Sequence, residues 1–253
     1  MTVTWDKMAE DYGVVRLNFF NKIAVIRLVN GDNKINGRFV QSLNKALDSV
    51  EGNPNIKALV TTGEGKFYSN GLDVQWFSSI DERTYIKFFQ DLHDILARLL
   101  TFPMPTVAAL NGHAFAGGGI LALCHDYRTM RTGAGWLCLN EVHIKLRFSE
   151  FIMGLLKSKI SSPVLTEVAI LGKRFTAEAA LEAGLVKLIT GPEKLIEKSL
   201  ELANSLVGSK GYDRVTLQNM KKDMHAAVLA VKNSGIRGKA EFEAVRKRNA
   251  SKL

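Results

Sequence analysis

The stretch NGHAFAGGGILALCHDYRTM, residues 111–130, decides the fold. It follows an apolar, strand-like run at residues 106–110, and its three consecutive glycines, Gly117, Gly118 and Gly119, begin a helix-like run. Glycines at such a junction let another group approach bare backbone, and the first turn of a helix leaves N–H groups unpaired. Those donors and the positive helix end favour an oxyanion or a phosphate. A tight turn or close helix packing uses the same residues, so the run alone does not define a site.

Three other motifs accompany the glycine run. They are GKFYSNGLDV at residues 65–74, LCLNEVHI at residues 137–144 and GKRFTAEAALEAGLV at residues 172–186. In this order and at these spacings the chain resembles the crotonase family, also called the enoyl-CoA hydratase/isomerase family, from about residue 25 to about residue 189. The resemblance implies an α/β fold, a crotonase-like spiral of ββα units followed by helices that support trimerisation. It is less specific for the reaction, because one scaffold hosts many reactions.

Length and composition fit a single enzyme with a large core. The 253 residues are within the range of one α/β domain, which we divide into a crotonase-like core at residues 1–190 and a C-terminal helical region at residues 191–253. No apolar run approaches the roughly 20 residues that span a bilayer, so we expect no membrane span. The N-terminal residues include acidic side chains and no apolar segment, which does not favour a secretory signal.

The cysteines and histidines predict no metal chemistry. Cys124 and Cys138 lie inside apolar segments, which predicts buried thiols in a reducing compartment rather than a disulfide framework. No group of Cys and His has the spacing of metal ligands. We therefore expect neither a metal ion nor a separate cofactor, since coenzyme A would be part of the substrate.

Positive charge is concentrated near the C-terminus. The formal net charge is +9, and residues 221–253 hold nine Lys/Arg against three Asp/Glu, a difference of +6. This segment is interpreted first as a solvated helix face, second as attraction to the phosphates of coenzyme A, and last as nucleic-acid binding. Phe242 is its one aromatic residue, which is too few for base stacking. We therefore expect no nucleic-acid partner.

Hydrophobic periodicity and turn residues predict the order of the elements. Residues 14–28 are predicted to form a β-hairpin with Asn21 and Lys22 at its turn. The later predictions are a helix at 39–50, a strand at 56–62, a loop at 63–72, a helix at 83–100, strands at 106–110 and 127–130, helices at 149–160, 163–171 and 177–183, a strand at 186–189, and mainly helix from residue 193 onward.

The resemblance assigns an oxyanion hole to backbone groups. It places one N–H donor on Leu72, after Asn70 and Gly71, and the other on Gly117, where two preorganised donors would stabilise the oxygen of an enolate. The residue type of Leu72 alone would favour a core position, because the implied role uses its amide. The substrate-binding residues implied by the motifs, of which Trp76 and Phe77 fit core packing equally well, are Ser69, Asn70, Gly71, Leu72, Trp76, Phe77, Gly117 and Gly118.

One carboxylate stands at a position that matches the family's catalytic groups. Glu141 of LCLNEVHI matches the second glutamate of the hydratases, whereas Ile120 occupies the position of the first. The apolar run at residues 136–139 should bury Glu141 partly and raise its pKa. The alternative is a glutamate that caps a helix or forms a salt bridge.

One glutamate instead of two favours isomerisation over hydration. Hydration needs two groups to position and deprotonate water, whereas migration of a double bond needs one base that moves a proton from C2 to C4. The chain therefore resembles the Δ3,Δ2-enoyl-CoA isomerases of the family, with Asn140 before the base. It departs from the family at Asn70, where alanine is common, and in the polar, basic residues 143–150. The alternatives are a hydratase or another acyl-CoA enzyme of the family, or a binding module for acyl-CoA without activity.

The remaining polar residues of the motifs are predicted to be structural. His113 and His125 flank the glycine-rich helix at positions that the family does not use as bases, and His143 is two residues from Glu141. Asp73 is predicted to cap a helix or to hydrogen-bond within its loop.

The chain ends in Ser251, Lys252 and Leu253, a tripeptide that a peroxisomal import receptor reads. We therefore expect a peroxisomal protein that binds this receptor and an acyl-CoA thioester. The resemblance further implies a homotrimer or a hexamer.

Overall fold

The computed structural model describes residue 5 and residues 9–250. Its strands are β1 (Glu10–Asp11), β2 (Val15–Phe20), β3 (Ile23–Leu28), β4 (Ala58–Gly63), β5 (Phe67–Ser69), β6 (Thr106–Leu110), β7 (His113–Phe115), β8 (Tyr127–Arg131), β9 (Leu137–Cys138) and β10 (Leu188–Thr190). Its helices are α1 (Gly37–Gly52), α2 (Glu82–Leu100), α3 (Gly117–Leu123), α4 (Glu150–Lys159), α5 (Ser162–Leu165), α6 (Ala177–Glu182), α7 (Leu195–Val207), α8 (Arg214–Met224), α9 (Ala226–Ala230) and α10 (Lys239–Ala250).

Two sheets organise the molecule. The large sheet has the order β1-β2-β3-β4-β6-β8-β10, and the small sheet has the order β5-β7-β9. Each of β4, β6 and β8 is followed by a short strand of the small sheet and then by a helix, so the units are β4-β5-α2, β6-β7-α3 and β8-β9-α4. β4, β6 and β8 run parallel to one another in the large sheet, and β5, β7 and β9 run parallel to one another in the small sheet. The predicted spiral of ββα units is therefore confirmed.

The hairpin and the long helices form where the pattern predicts them. β2 and β3 pair antiparallel around Asn21, which has a φ of 53° that suits a tight turn. The side chain of Asn36 accepts a hydrogen bond from Phe39 N and begins α1, and Asp81 accepts one from Thr84 N at the start of α2. These caps begin both helices slightly earlier than the apolar pattern alone predicts.

Other predicted elements differ from the structure. The predicted loop at residues 63–72 contains β5, and the predicted helix at 163–171 is α5 followed by the π-helical turn Thr166–Ile170. The predicted strand at 186–189 is β10, shifted by one to two residues. Strands as short as β5, β7 and β9 exist because distant strands pair with them, so a local pattern does not reveal them.

The core lies on both faces of the large sheet. One face packs under α1 to α4, and the other carries α7, whose Leu195 and Ala203 are buried against Val25, Val60 and Val107. Cys124 and Cys138 are free, buried thiols, as predicted. Among the described residues, no helix combines the length and apolar character that a membrane crossing requires. The C-terminal part is helical, and the domain division at residue 190 stays a prediction.

Candidate active site

The loop after β5 and the start of α3 meet backbone to backbone. Gly71 has a φ of 78°, and a Cβ on it would lie 2.9 Å from the carbonyl oxygen of Phe115 and 3.1 Å from the nitrogen of Gly117. A Cβ on Gly118 would lie 2.3 Å from the carbonyl oxygen of Ser69. Glycine is therefore required at both positions, because a side chain would push the two segments apart.

This contact leaves two neighbouring N–H groups free. Ile35 N donates to Gly71 O at 2.8 Å and Asp73 N donates to Ile35 O at 2.9 Å, so the N–H of Leu72 points away from Ile35. Gly117 is the first residue of α3, where no preceding turn supplies an acceptor. Within the described part of the chain, neither N–H has a hydrogen-bond partner.

Ala116, whose backbone conformation is strained, sets the direction of the N–H of Gly117. Ala116 has a φ of 47° and a ψ of −122°, a conformation that favours glycine. Such a residue costs on the order of 1–3 kcal/mol and persists when its surroundings hold it. Here Ala116 N donates to Cys138 O at 2.8 Å and Ala116 O accepts from Ile120 N at 3.0 Å. The peptide that carries the N–H of Gly117 is thereby held from both sides, a feature that the sequence did not reveal.

Glu141 lies three residues beyond β9 and is 7% exposed. Its Oε2 is buried and accepts no hydrogen bond from the described residues. Burial raises the pKa of this carboxyl from 4.5 to about 7, against a smaller opposing effect of its own backbone N–H. No described cation pairs with it, and it does not cap a helix. The structure therefore contradicts the alternative in which Glu141 is a cap or a salt-bridge partner.

These groups meet at a cavity of about 500 Å³. That size is typical of a site for a small molecule. Its wall includes Leu72, Gly117 and Glu141 together with Ile120, which occupies the position that the resemblance gives to the first glutamate of the hydratases. The rest of the wall is mainly apolar and comprises Val74, Phe77, Tyr85, Phe89, Leu92, Leu96, Phe115, Ala116, Ile144, Leu146, Phe148, Ile152, Ile236 and Phe242. Basic side chains also line it, namely Lys34, Lys145, Arg147 and Arg237.

The structure places the predicted substrate-binding residues in two groups. Asn70 and Phe77 lie on the cavity wall with Leu72 and Gly117, whereas Ser69, Gly71, Trp76 and Gly118 are not part of this wall. The hydroxyl of Ser69 donates to Asn33 O at 2.7 Å and accepts from Gly71 N at 3.3 Å. The Trp76 ring packs on Phe88 at 5.1 Å between centroids. Ser69, Gly71 and Gly118 are buried where the two backbone segments meet, and the half-buried Trp76 packs against α2.

The sequence also missed residues that the fold brings to the cavity. Ile236, Arg237, Glu241 and Phe242 come from the C-terminal segment, far from the four motifs. No motif or periodic pattern marks them, because tertiary packing alone brings them to the cavity. Asn140 was noted only as the residue before the base, and its buried Oδ1 has no partner among the described residues.

His113, His125, His143 and Asp73 lie off the cavity wall, whereas His93 lies on it. Burial lowers the pKa of His125 to about 4, and its ring is bonded to Thr61 Oγ1 and Leu121 O. His113 stacks on the ring of Phe115, and His143 is exposed. Asp73 accepts from the side chain of Asn36 and from the backbone of Trp76, as expected of a loop residue. These contacts agree with the predicted structural roles.

Comparison with known proteins gives the family. A family model described as enoyl-CoA hydratase/isomerase matches residues 18–248, so the chain belongs to the enoyl-CoA hydratase/isomerase family. The crystal structure of an enoyl-CoA hydratase from Mycobacterium marinum is similar, with a TM-score of 0.79 and 29% identity over 88% of this chain and 96% of that one. The predicted crotonase fold is thus confirmed.

Two relatives from Arabidopsis thaliana carry the name of an isomerase. The relative named enoyl-CoA delta isomerase 1, peroxisomal, is 29% identical over 83% of this chain and 88% of its own length. The relative named enoyl-CoA delta isomerase 3 is 38% identical over 60% of this chain and 66% of its own length. Both similarities support activity on an enoyl-CoA, which is the activity that defines the family.

Proposed function

We propose that the protein is a Δ3,Δ2-enoyl-CoA isomerase. The observation that carries the proposal is one buried carboxyl, Glu141, whose Oε2 has no partner among the described residues, on a cavity that also holds two backbone amides without described partners. The only other carboxyl on the described wall, Glu241, is exposed and paired with Arg237 at 3.3 Å. A single base suits the transfer of one proton between two carbons of the same substrate.

In the proposed mechanism, the thioester oxygen accepts hydrogen bonds from the N–H groups of Leu72 and Gly117. Glu141 removes a proton from C2, and the electron pair of that C–H bond moves toward the oxygen to form a dienolate. The double bond then forms between C2 and C3 as C4 takes the proton back from Glu141. Preorganised amides stabilise the oxyanion because they need not reorient during the reaction.

The pKa of Glu141 supports this role. A base with a pKa of about 7 is partly ionised at neutral pH and returns a proton more readily than an ordinary carboxyl. Isomerisation requires Glu141 both to accept a proton and to return it. A carboxyl with its usual pKa would accept the proton poorly. Ile120 supplies no second acid and keeps this part of the wall apolar.

A second candidate function is hydration of 2-enoyl-CoA. One observation favours it: Asn140 Oδ1 and Glu141 Oε2, from consecutive residues on the cavity wall, are buried acceptors without partners among the described residues, as is required of groups that hold a water molecule. The two functions are separated by assaying the purified protein with 3-enoyl-CoA and with 2-enoyl-CoA. Hydration at a rate comparable to isomerisation would overturn the first proposal.

We further propose that the basic part of the wall faces the phosphates of coenzyme A. Lys34 and Arg147 lie on the wall without a described ion-pair partner, and a concentrated positive charge attracts a polyanionic ligand. Substitution of either by alanine should raise KM with little change in kcat. An unchanged KM in both variants would contradict the assignment.

We also propose that the enzyme works in peroxisomes. The tripeptide Ser251, Lys252 and Leu253 supports this, although it lies outside the described residues, and one Arabidopsis relative is named as peroxisomal. Deleting the tripeptide from a tagged protein should abolish peroxisomal import and leave the activity of the purified enzyme unchanged. Continued accumulation in peroxisomes would contradict the proposal.

A further inference from the structure

The segment that follows α9 and includes the first turn of α10 is held at two points by α2. We call this segment, residues 232–242, the C-terminal strap. At its first end, His93 Nδ1 donates to Lys232 O at 2.7 Å and the ammonium of Lys232 pairs with Asp94. At its second end, Lys239 N donates to the carboxylate of Glu82 at 3.0 Å. The strap therefore runs along α2 and is attached at the start of that helix and just past its middle.

Between these attachments the strap forms one wall of the cavity. Its wall residues are Gly235, Ile236, Arg237, Glu241 and Phe242. α2 supplies a facing row of apolar side chains, at positions i, i+4, i+7 and i+11, which are Tyr85, Phe89, Leu92 and Leu96. At 1.5 Å per residue this row extends for roughly 17 Å. The apolar part of the cavity is therefore a slot long enough for an extended hydrocarbon chain.

Phe242 bounds this slot near the start of α2. Its ring lies edge-on to Phe77 at 5.2 Å and 6.0 Å from the ring of Tyr85, both measured between centroids. Phe77 is fully buried, whereas Phe242 is half-buried, with one side toward the cavity and the other toward the surface. Loss of this ring would open the slot outward, and a larger ring would shorten it.

We propose that Ile236 and Phe242 of the C-terminal strap set the longest acyl chain that the enzyme accepts, and that its substrates are fatty acyl thioesters whose tails lie along α2. This inference rests on the proposed acyl-CoA substrate. Each methylene that enters the slot should improve affinity by about fourfold. The increase in affinity should stop at the acyl-chain length at which the tail reaches Phe242.

The test is a binding series with hexanoyl-, decanoyl- and tetradecanoyl-CoA, measured by isothermal titration calorimetry. In Phe242→Ala, the increase in affinity with each methylene should continue to longer acyl chains. In Phe242→Trp, this increase should stop at shorter chains. Lys247→Ala, at an exposed position further along α10 that is not on the cavity wall, is the control and should leave the profile unchanged. A purely structural role would weaken all three ligands equally in both Phe242 variants, and that result would overturn the inference.

Kinetics separate this inference from the proposed function. The ratio of kcat/KM for 3-dodecenoyl-CoA to that for 3-hexenoyl-CoA should rise by about tenfold in Phe242→Ala and fall in Phe242→Trp. If the wild-type protein isomerises both substrates but the ratio is the same in all variants, the inference is wrong and the proposed function stands. If nothing is isomerised while the binding profile shifts as expected, the proposed function is wrong and the inference stands.

Discussion

At the scale of single residues, the site combines two requirements that conflict at Glu141. A base needs a free oxygen facing the substrate, but a buried carboxyl without partners disfavours its own ionisation. The consequence is a pKa of about 7 in the folded protein instead of the ordinary 4.5. Activity and stability should therefore depend on pH in opposite directions.

We expect kcat/KM to rise with pH through about 7, because only the ionised carboxylate removes a proton. The measurement is a pH–rate profile with 3-enoyl-CoA as substrate. A rate that is flat between pH values well below and well above 7 would show that another group is the base.

The free energy of unfolding should fall as the pH rises. Below the unfolded pKa of 4.5 both states are protonated, and above a folded pKa of about 7 the protein must hold a buried charge. Wild-type protein should therefore lose up to about 3 kcal/mol of unfolding free energy between these limits. Glu141→Gln should not show this loss, so it should be more stable than wild type at pH 8 and similar at pH 4. Denaturant titrations at both pH values test this, and equal stability at pH 8 would contradict it.

At the scale of elements, the proposed mechanism places the second oxyanion donor, Gly117, at the start of α3. Gly117→Pro should lower kcat by about 10²–10³, because proline has no N–H, although the first position of a helix tolerates it. Gly117→Ala keeps the donor, and its Cβ would approach no atom closer than 3.5 Å, so most activity should remain. Circular dichroism must show that both variants fold. A folded proline variant with near wild-type turnover would exclude Gly117 as a donor.

Elements differ in how far the sequence predicts them. β6 has its predicted bounds and α2 nearly so, because a buried strand and an amphipathic helix carry their pattern in neighbouring residues. β5, β7 and β9 are defined by pairing with one another across distant parts of the chain, so no local pattern predicts them.

The residues of the candidate site also differ in how far the sequence predicts them. Leu72, Gly117 and Glu141 could be predicted because the motifs hold them at characteristic spacings, and all three lie on the cavity. Ile236 and Phe242 could not, because they reach the cavity only through the attachments of the C-terminal strap to α2. The motif also does not reveal that the hydroxyl of Ser69 donates to Asn33 O and accepts from Gly71 N, away from the cavity wall.

At the scale of the whole molecule, exposed apolar side chains on α8 support self-association. Val215 and Met224 are each 66% exposed, and Met220 is 65% exposed. Met220 and Met224 are four residues apart and share one face of the helix, whereas Val215 lies on the face opposite Met224. Methionine is common at contact surfaces because it adapts its shape. We expect the methionine face to lie in the interface of the predicted trimer or hexamer.

Light scattering of the purified wild-type protein should give a molar mass three or six times that of one chain. Met224→Glu should lower this mass because it introduces a charge into the interface, and Val215→Glu is the matched control on the other face. A wild-type protein that is monomeric at micromolar concentration would contradict the predicted assembly. An unchanged mass in Met224→Glu would place the interface elsewhere.

The central claim, that one buried carboxyl moves the proton, is tested most directly by turnover of 3-enoyl-CoA in Glu141→Gln. The account predicts a loss of about 10²–10⁴-fold in kcat with acyl-CoA binding nearly intact, because the amide keeps the shape of the wall but cannot accept the proton. Glu150→Gln, which changes an exposed carboxyl on α4, should retain full activity. A Glu141→Gln protein that retains most of its turnover would contradict the single-base mechanism.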